Sequence, residues 1–157
     1  MSENKPQIGL YIHWPYCLSI CPYCDFNSHI AGSIDVDMWV QAYKKSIDHY
    51  HAYFEGRELA SVFFGGGTPS LMPTQLVHEI LSHIDSYTDC LPGEITLEAN
   101  PTSVEASKFQ DFSDLGINRL SLGIQALNDK DLKFLGRQHT ASEALKALEL
   151  SKEVVDG

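Results

Sequence analysis

The chain has 157 residues, of which 43% are hydrophobic, 20% are charged and four are Cys, a composition typical of a globular domain. The apolar content excludes a disordered chain, and the few Cys exclude a disulfide-dense one. The formal charge of −10 disfavours binding to nucleic acid or to an anionic membrane surface. No apolar run approaches the roughly 20 residues that span a bilayer, and no signal peptide is visible, so we expect a cytoplasmic protein.

Short apolar runs alternate with amphipathic stretches along the chain. In the first amphipathic stretch, apolar residues recur at spacings of four and three, which is typical of one helical face. Two capping boxes, Thr102 with Glu105 and Thr140 with Glu143, mark the starts of further helices. In chain order the pattern predicts a strand at 8–12, a helix at 35–54, a strand at 59–64, a helix at 73–86, a strand at 94–97, a helix at 102–115, a strand at 117–124, a short helix at 129–135 and a last helix from 140.

Four strand–helix units in a row, each of about 35 residues, predict a parallel α/β fold. The apolar run 59–64 is typical of a parallel strand that is buried on both faces. In such folds, functional residues lie in the loops that follow the carboxyl ends of the strands. A closed barrel of these units takes about 250 residues, so 157 residues are few for this architecture.

Three Cys lie within eight residues after the first strand, in the pattern Cys17-x3-Cys21-x2-Cys24. Such close spacing indicates a loop that wraps around one soft metal centre, and thiolates select zinc, copper(I) or an iron–sulfur cluster. A four-iron cluster normally takes four Cys ligands. Three ligands would therefore leave one iron open to an exogenous ligand.

Other residues are weaker candidates for a fourth ligand. Cys90 precedes the third strand, at the opposite end of the sheet, so we expect it to be a small, partly buried residue. Zinc held by the three Cys and by His13 or His29 is an alternative, although this Cys spacing is unusual for structural zinc. The pattern favours a cluster.

Glycine or polar residues follow the other three strands. The segment 65–68, Gly-Gly-Gly-Thr, permits close backbone approach, and its amide groups could bind a carboxylate or another anion. Glu98 ends the third strand, Gln125 ends the fourth, and Arg137 could clamp a carboxylate. Taken singly, each has a plain structural explanation, such as a tight turn, a solvated strand end or a surface Arg. Because the carboxyl ends of parallel strands share one edge, we expect all of them to open on the same rim.

Together these motifs resemble the radical S-adenosylmethionine (SAM) superfamily, and within it the group of oxygen-independent coproporphyrinogen III dehydrogenase (oxidase) and related haem chaperones. The resemblance implies that the chain forms the first four βα units of a partial (β/α)6 TIM-like barrel. It also implies a 4Fe-4S cluster whose open iron is chelated by SAM and which, when reduced, cleaves SAM to methionine and a 5′-deoxyadenosyl radical. The resemblance covers about residues 8–145, and the cluster ligands that it implies are Cys17, Cys21 and Cys24.

The resemblance also assigns residues to the SAM pocket, in three groups. These groups are Tyr11 and Tyr23 beside the cluster and the adenosyl group, Gly66, Gly67 and Thr68 at the methionine end, and Glu98, Gln125 and Arg137, which complete the pocket.

One position separates two members of this group. The dehydrogenase typically has a further Cys two positions after the third ligand, where this chain has Phe26. The resemblance therefore favours a haem-binding chaperone that carries a cluster and SAM, with SAM cleavage an open question, over an enzyme that converts two propionates to vinyl groups in porphyrin biosynthesis. A cluster-binding module without turnover is a third alternative.

The implied partners are haem or porphyrin, a haem-accepting protein, and an electron donor such as flavodoxin or ferredoxin. Four βα units of roughly six lead us to expect that residues 1–157 are the N-terminal part of a radical SAM core domain, without the rest of the barrel or a C-terminal domain. No haem ligand stands out among the seven histidines, which are His13, His29, His49, His51, His78, His83 and His139.

Overall fold

Strands and helices alternate along the chain as predicted. The computed structural model describes residues 5–30, 32–88 and 91–155, so Cys90 lies outside the described residues. In chain order the elements are β1 (Gln7–Trp14), β2 (Tyr16–Cys17), β3 (His29–Ile30), α1 (Val36–Tyr50), β4 (Glu58–Gly66), α2 (Thr74–Asp85), β5 (Glu94–Ala99), α3 (Ser103–Ala106), α4 (Phe109–Asp114), β6 (Arg119–Leu122), α5 (Asp129–Phe134) and α6 (Ala141–Val154), with 3-10 turns at His51–Tyr53 and Pro69–Leu71.

The main sheet has four strands in the order β1-β4-β5-β6, and every neighbouring pair is parallel. This confirms the predicted α/β fold of successive βα units. Because all neighbouring strands are parallel, all four carboxyl ends lie at one edge. A separate parallel pair, β2 with β3, lies beside the end of β1. No helix in the described ranges is long and apolar enough to cross a membrane.

The two faces of the sheet differ in burial. Trp14 and Phe64 are fully buried on the face that packs against the helices, whereas Tyr11 on the other face is 56% exposed and Phe63 is half-buried. The prediction that 59–64 is buried on both faces is therefore wrong, because side chains alternate along each strand and the core forms on one face. The helical side of that core includes Ile47, Leu76, Val77, Ile80, Ile84, Phe109 and Phe112.

The helix predicted at 102–115 is two helices, α3 and α4. Thr102 caps α3 as predicted, since its side chain accepts from the Glu105 amide. The Glu105 carboxylate, however, turns inward: Oε2 accepts from the amide of Asn100, and Oε1 accepts from the Thr102 hydroxyl rather than from the Thr102 amide that would close the box. Lys108 N then donates to the Glu105 carbonyl in a tight 3-10 pattern that ends α3.

The second predicted capping box is present at α6. Thr140 and Glu143 each accept from the other's backbone amide. The fourth strand is shorter than predicted. Asn118 fixes the start of this strand through hydrogen bonds to Ile95 and Gly93. At its other end, a turn begins directly after Leu122.

Candidate functional site

A cavity of about 300 Å³ opens at the carboxyl edge of the sheet. Ten of the eleven residues predicted for the cluster and SAM pocket line it, and the exception is Tyr11. The expectation that segments following all four strands meet on one rim is therefore confirmed. Their roles as ligands stay a prediction.

Tyr11 lies on the open face of the sheet beside the cavity. Its ring stacks on Phe63 with centroids 6.0 Å apart, and its hydroxyl is 3.4 Å from His13 Nδ1. Burial raises the pKa of Tyr11, and the negative charge of Glu98 raises it further. Tyr11 is thus electrostatically linked to the site without lining its cavity.

The three clustered Cys are free thiols, and each is half-buried. The loop between them is tightened by a turn in which Cys24 N donates to the Cys21 carbonyl at 3.0 Å. Thr68 Oγ1 donates to Cys17 Sγ at 3.4 Å, and Arg137 Nη1 donates to Cys21 Sγ at 3.5 Å. Two of the three sulfurs therefore receive side-chain donors from distant parts of the chain.

The base of the Cys loop is closed by two interactions across its ends. His29 N donates to the Pro15 carbonyl at 2.7 Å, next to the β2–β3 pair. His13 Nε2 is 3.0 Å from the Asn27 carbonyl oxygen. His13 thus supports the loop from β1, a role that the sequence analysis missed.

The glycine segment is pressed against the start of the Cys loop. Gly67 N donates to the Trp14 carbonyl at 2.6 Å, and Thr68 N donates to the Tyr16 carbonyl at 2.8 Å. A β-carbon at Gly67 would lie 2.7 Å from the Tyr16 oxygen, which only a glycine avoids. At Gly66, φ is +111° and a β-carbon would lie 2.6 Å from the His13 ring.

The expectation that these amides bind an external anion is wrong. Gly66 N donates to Glu98 Oε2 at 3.1 Å, and the next two amides are bonded to backbone carbonyls of residues 14 and 16. With its N–H groups used inside the chain, the segment can offer an incoming ligand only carbonyl oxygens and the Thr68 hydroxyl.

Glu98 is not a solvated strand end. Its carboxylate is half-buried at the cavity and accepts from the Gly66 amide. Burial raises the pKa of Glu98, and the bond from Gly66 partly opposes that rise. A half-buried carboxylate with one donor has lone pairs left for a ligand amine or hydroxyl.

Arg137 is likewise not a surface residue, because its guanidinium is bonded within the site. Nη1 is also 3.4 Å from the Tyr23 hydroxyl, and Nη2 donates to Asn100 Oδ1 at 2.5 Å and to the Gly123 carbonyl at 2.7 Å. Burial raises the pKa of Tyr23, while the Arg137 charge acts in the opposite direction. Arg137 Nε is buried without a partner, which leaves one donor of the fork unused.

Gln125 adopts a left-handed backbone conformation with φ of +62°. Tight turns hold it there, since Ile124 N donates to the Leu122 carbonyl and Ala126 N donates to the Ile124 carbonyl. For a residue with a β-carbon, such a conformation costs on the order of 1 kcal/mol and clusters at functional sites. The turn brings the Gln125 side chain to the cavity.

Three further residues at the cavity were not predicted. Asn100 bridges Arg137 and Thr68, and its position directly after β5 was the available signal. Glu105 is 1% exposed behind Asn100, and its place in a capping box concealed it. His139 is 4% exposed, its Nε2 lies 3.1 Å from the Ile124 carbonyl, and burial lowers its pKa.

The chemistry of the donor set suits an iron–sulfur cluster, since three free thiols lie on one loop and thiolates are the ligands of such clusters. Across residues 5–30, 32–88 and 91–155, no three His, Cys, Asp or Glu side chains come close enough to hold one ion. Donors to Cys17 and Cys21 suit thiolates, whose charge they stabilise.

Known proteins give a consistent assignment. The model of the radical SAM superfamily matches residues 11–157. The chain is 43% identical over 148 residues to heme chaperone HemW of Escherichia coli, covering 93% of this chain and 39% of the relative. It is 42% identical over 153 residues to heme chaperone HemW of Haemophilus influenzae, covering 94% and 40%. The chain thus spans about two fifths of the length of these relatives.

Solved structures agree at the level of the fold. The coproporphyrinogen III oxidase HemN of Escherichia coli, described as a radical SAM enzyme, superposes with a TM-score of 0.82 at 24% identity, covering 97% of this chain and 35% of that one. The cobalamin-dependent radical enzyme OxsB superposes with a TM-score of 0.63 at 12% identity, covering 96% and 23%. The chain therefore belongs to the radical SAM superfamily, and membership implies a 4Fe-4S cluster and SAM as its cofactors.

Proposed function

We propose that this chain forms the cluster- and SAM-binding region of a HemW-like haem chaperone. One observation carries the proposal. Three clustered thiols, a glycine segment, a carboxylate and a guanidinium line a single cavity at the carboxyl edge of the sheet. Cys17, Cys21 and Cys24 would hold the cluster.

Opposite charges in the cavity suit the amino-acid end of SAM. Arg137 adds a positive charge to the cavity that attracts a carboxylate, while its terminal nitrogens stay bonded within the chain. Glu98 and the carbonyl oxygens of the segment 66–68 match an ammonium group or a sugar hydroxyl, since the amides of that segment are already bonded. The chemistry that the bound cluster supplies is one-electron reduction of SAM.

The haem part of the proposal is supported by relatives and by one side chain. Relatives named heme chaperone HemW are 43% and 42% identical over most of this chain. Phe26, which stands where the dehydrogenase typically has a further Cys, is 63% exposed at the cavity lining. An apolar side chain there supplies no additional thiol. We therefore favour haem binding over porphyrinogen oxidation, with a haem-accepting protein and a flavodoxin- or ferredoxin-like donor as partners in a reducing cytoplasm.

Anaerobic reconstitution with iron and sulfide tests the cluster. We expect about four irons per chain and a broad charge-transfer absorption, both lost in Cys17→Ser. Reconstituted protein should then bind SAM. Colourless protein with one zinc per chain would contradict the proposal.

Haem titration followed at the Soret band tests the chaperone function. We expect saturable binding by the chain, and no oxidation of coproporphyrinogen III under reducing conditions with SAM. Vinyl products from coproporphyrinogen III would favour the dehydrogenase. A chain that forms the cluster but does not bind haem saturably would favour the third alternative, a cluster-binding module without turnover.

A further inference from the structure

We infer that Asn100 is a positioning residue that aims two hydrogen-bond donors at two of the cluster sulfurs. The inference rests on the proposed cluster site. Asn100 itself contacts neither sulfur. It acts through Arg137 on Cys21 and through Thr68 on Cys17.

The Asn100 carboxamide lies between the two donors. Its Oδ1 accepts from Arg137 Nη2 at 2.5 Å, and its Nδ2 donates to Thr68 Oγ1 at 3.2 Å. Arg137 Nη1 lies 3.5 Å from Cys21 Sγ, and Thr68 Oγ1 lies 3.4 Å from Cys17 Sγ. A single side chain thus connects two elements that reach different ligands.

The direction of each bond follows from the groups involved. A guanidinium can only donate, so the oxygen of Asn100 faces Arg137 and its NH2 group faces Thr68. Because the Thr68 oxygen accepts from Asn100, the hydroxyl proton is free to point at Cys17 Sγ. Asn100 thereby sets the orientation of both donors.

Asn100 is held in place from behind. Its backbone amide donates to Glu105 Oε2 at 3.0 Å, and the same carboxylate receives the Ser70 hydroxyl. Glu105 is 1% exposed and Ser70 is fully buried. This buried pair fixes the start of the loop after β5, so the carboxamide has little freedom to turn away.

Donors to the ligand sulfurs tune a cluster. Reduction adds negative charge that spreads onto the thiolates, and hydrogen bonds to sulfur stabilise that charge. Loss of the donors should therefore make the reduction potential more negative. Asn100 is expected to keep the potential higher than the three Cys alone would set it.

The test is a redox titration of reconstituted protein followed by electron paramagnetic resonance, with iron counted in each sample. Asn100→Ala and Thr68→Val should each shift the midpoint potential to a more negative value, whereas Thr68→Ser should restore it. Thr68→Val should add less in the Asn100→Ala background than in the wild-type chain. Additive shifts, or no shift in fully loaded Asn100→Ala, would overturn the inference.

A matched control separates the positioning of the two donors from a general loss of stability. Asn118→Ala removes a carboxamide with two bonds at the opposite end of the sheet, far from the sulfurs along β5 and β6. It should lower stability without shifting the potential. An equal potential shift in Asn118→Ala would mean that Asn100 acts only through the fold.

The redox titration also separates this inference from the proposed function. Failure of the wild-type chain to form a cluster would count against the proposed function. A loaded wild-type cluster with an unchanged potential in Asn100→Ala would count only against the role of Asn100.

Discussion

The four strand ends form two pairs that place their functional residues by different means. After β1 and β4 the backbone sets the geometry, with the amides of Gly67 and Thr68 bonded to carbonyls at the start of the Cys loop. After β5 and β6 side chains set it, through Asn100 and Arg137. The first pair thus determines where the sulfurs lie, and the second determines what surrounds them. Substitutions in the first pair should prevent the cluster from loading, whereas those in the second should leave it loaded and alter its chemistry or the stability of its surroundings.

The largest expected effect on the site, loss of the cluster, is at Gly67, in the pair that the backbone positions (β1 and β4). In Gly67→Ala the new β-carbon would lie 2.7 Å from the Tyr16 carbonyl oxygen, so the strand end and the Cys loop must separate. We expect loss of most iron after reconstitution and a destabilisation of about 1–3 kcal/mol, measured by chemical unfolding. Gly93→Ala, where a β-carbon meets nothing within 4 Å, should load iron normally. Normal loading of Gly67→Ala would remove the distinction between the two pairs.

The second effect is on stability, at Glu105, which lies behind Asn100 at the ends of β5 and β6. Glu105→Ala leaves the Asn100 amide and the Ser70 hydroxyl without their acceptor. Each unpaired buried group costs about 1–3 kcal/mol, so the free energy of unfolding should fall by about 3 kcal/mol. Glu105→Gln keeps one acceptor and should lose less. The exposed Glu149→Ala serves as the control, and an equal loss there would contradict the assignment.

The third effect is on SAM affinity at Arg137. Lysine cannot reproduce a fork that bonds Cys21, Tyr23, Asn100 and Gly123 at once. Arg137→Lys should raise the Kd for SAM by about tenfold, or roughly 1.4 kcal/mol, while iron loading stays intact. Anaerobic calorimetry measures it, with the exposed Arg57→Lys as control. If Arg137→Lys lost iron as well as SAM affinity, Arg137 would belong with the residues after β1 and β4 that determine where the sulfurs lie.

The smallest expected effect is at Glu98, where the Gln substitution should raise stability slightly but weaken SAM binding. Burial raises the pKa of Glu98, so its charged form is disfavoured in the folded chain. Stability should therefore rise as pH falls through that raised pKa. Glu98→Gln should gain less than about 1 kcal/mol at pH 7, since solvent screens a half-exposed group, and the gain should vanish near pH 4. SAM affinity should fall in the same variant. A loss of stability at pH 7 would contradict this account.

The fold and the rim were predictable because they depend on local patterns. Apolar runs and capping residues placed the elements, and the parallel order then brought the Cys loop, the glycine segment, Glu98 and Gln125 to one edge. The bonding of individual groups was not predictable. A Glu three residues after a cap has two competing partners, and only the packing of Ser70 shows that Glu105 turns inward. The amides of 66–68 look free in sequence, because their acceptors lie about thirty to fifty positions away.

The bond between Arg137 and Cys21 joins residues 116 positions apart in the chain. At synthesis rates of roughly 5–20 residues per second, the thiols leave the ribosome about 6–23 s before the guanidinium that donates to one of them. Iron and sulfide delivered during translation would meet the Cys loop before its last donor exists. A site with both donors in place requires that the chain be translated through Arg137 and that the fourth βα unit be docked on the sheet.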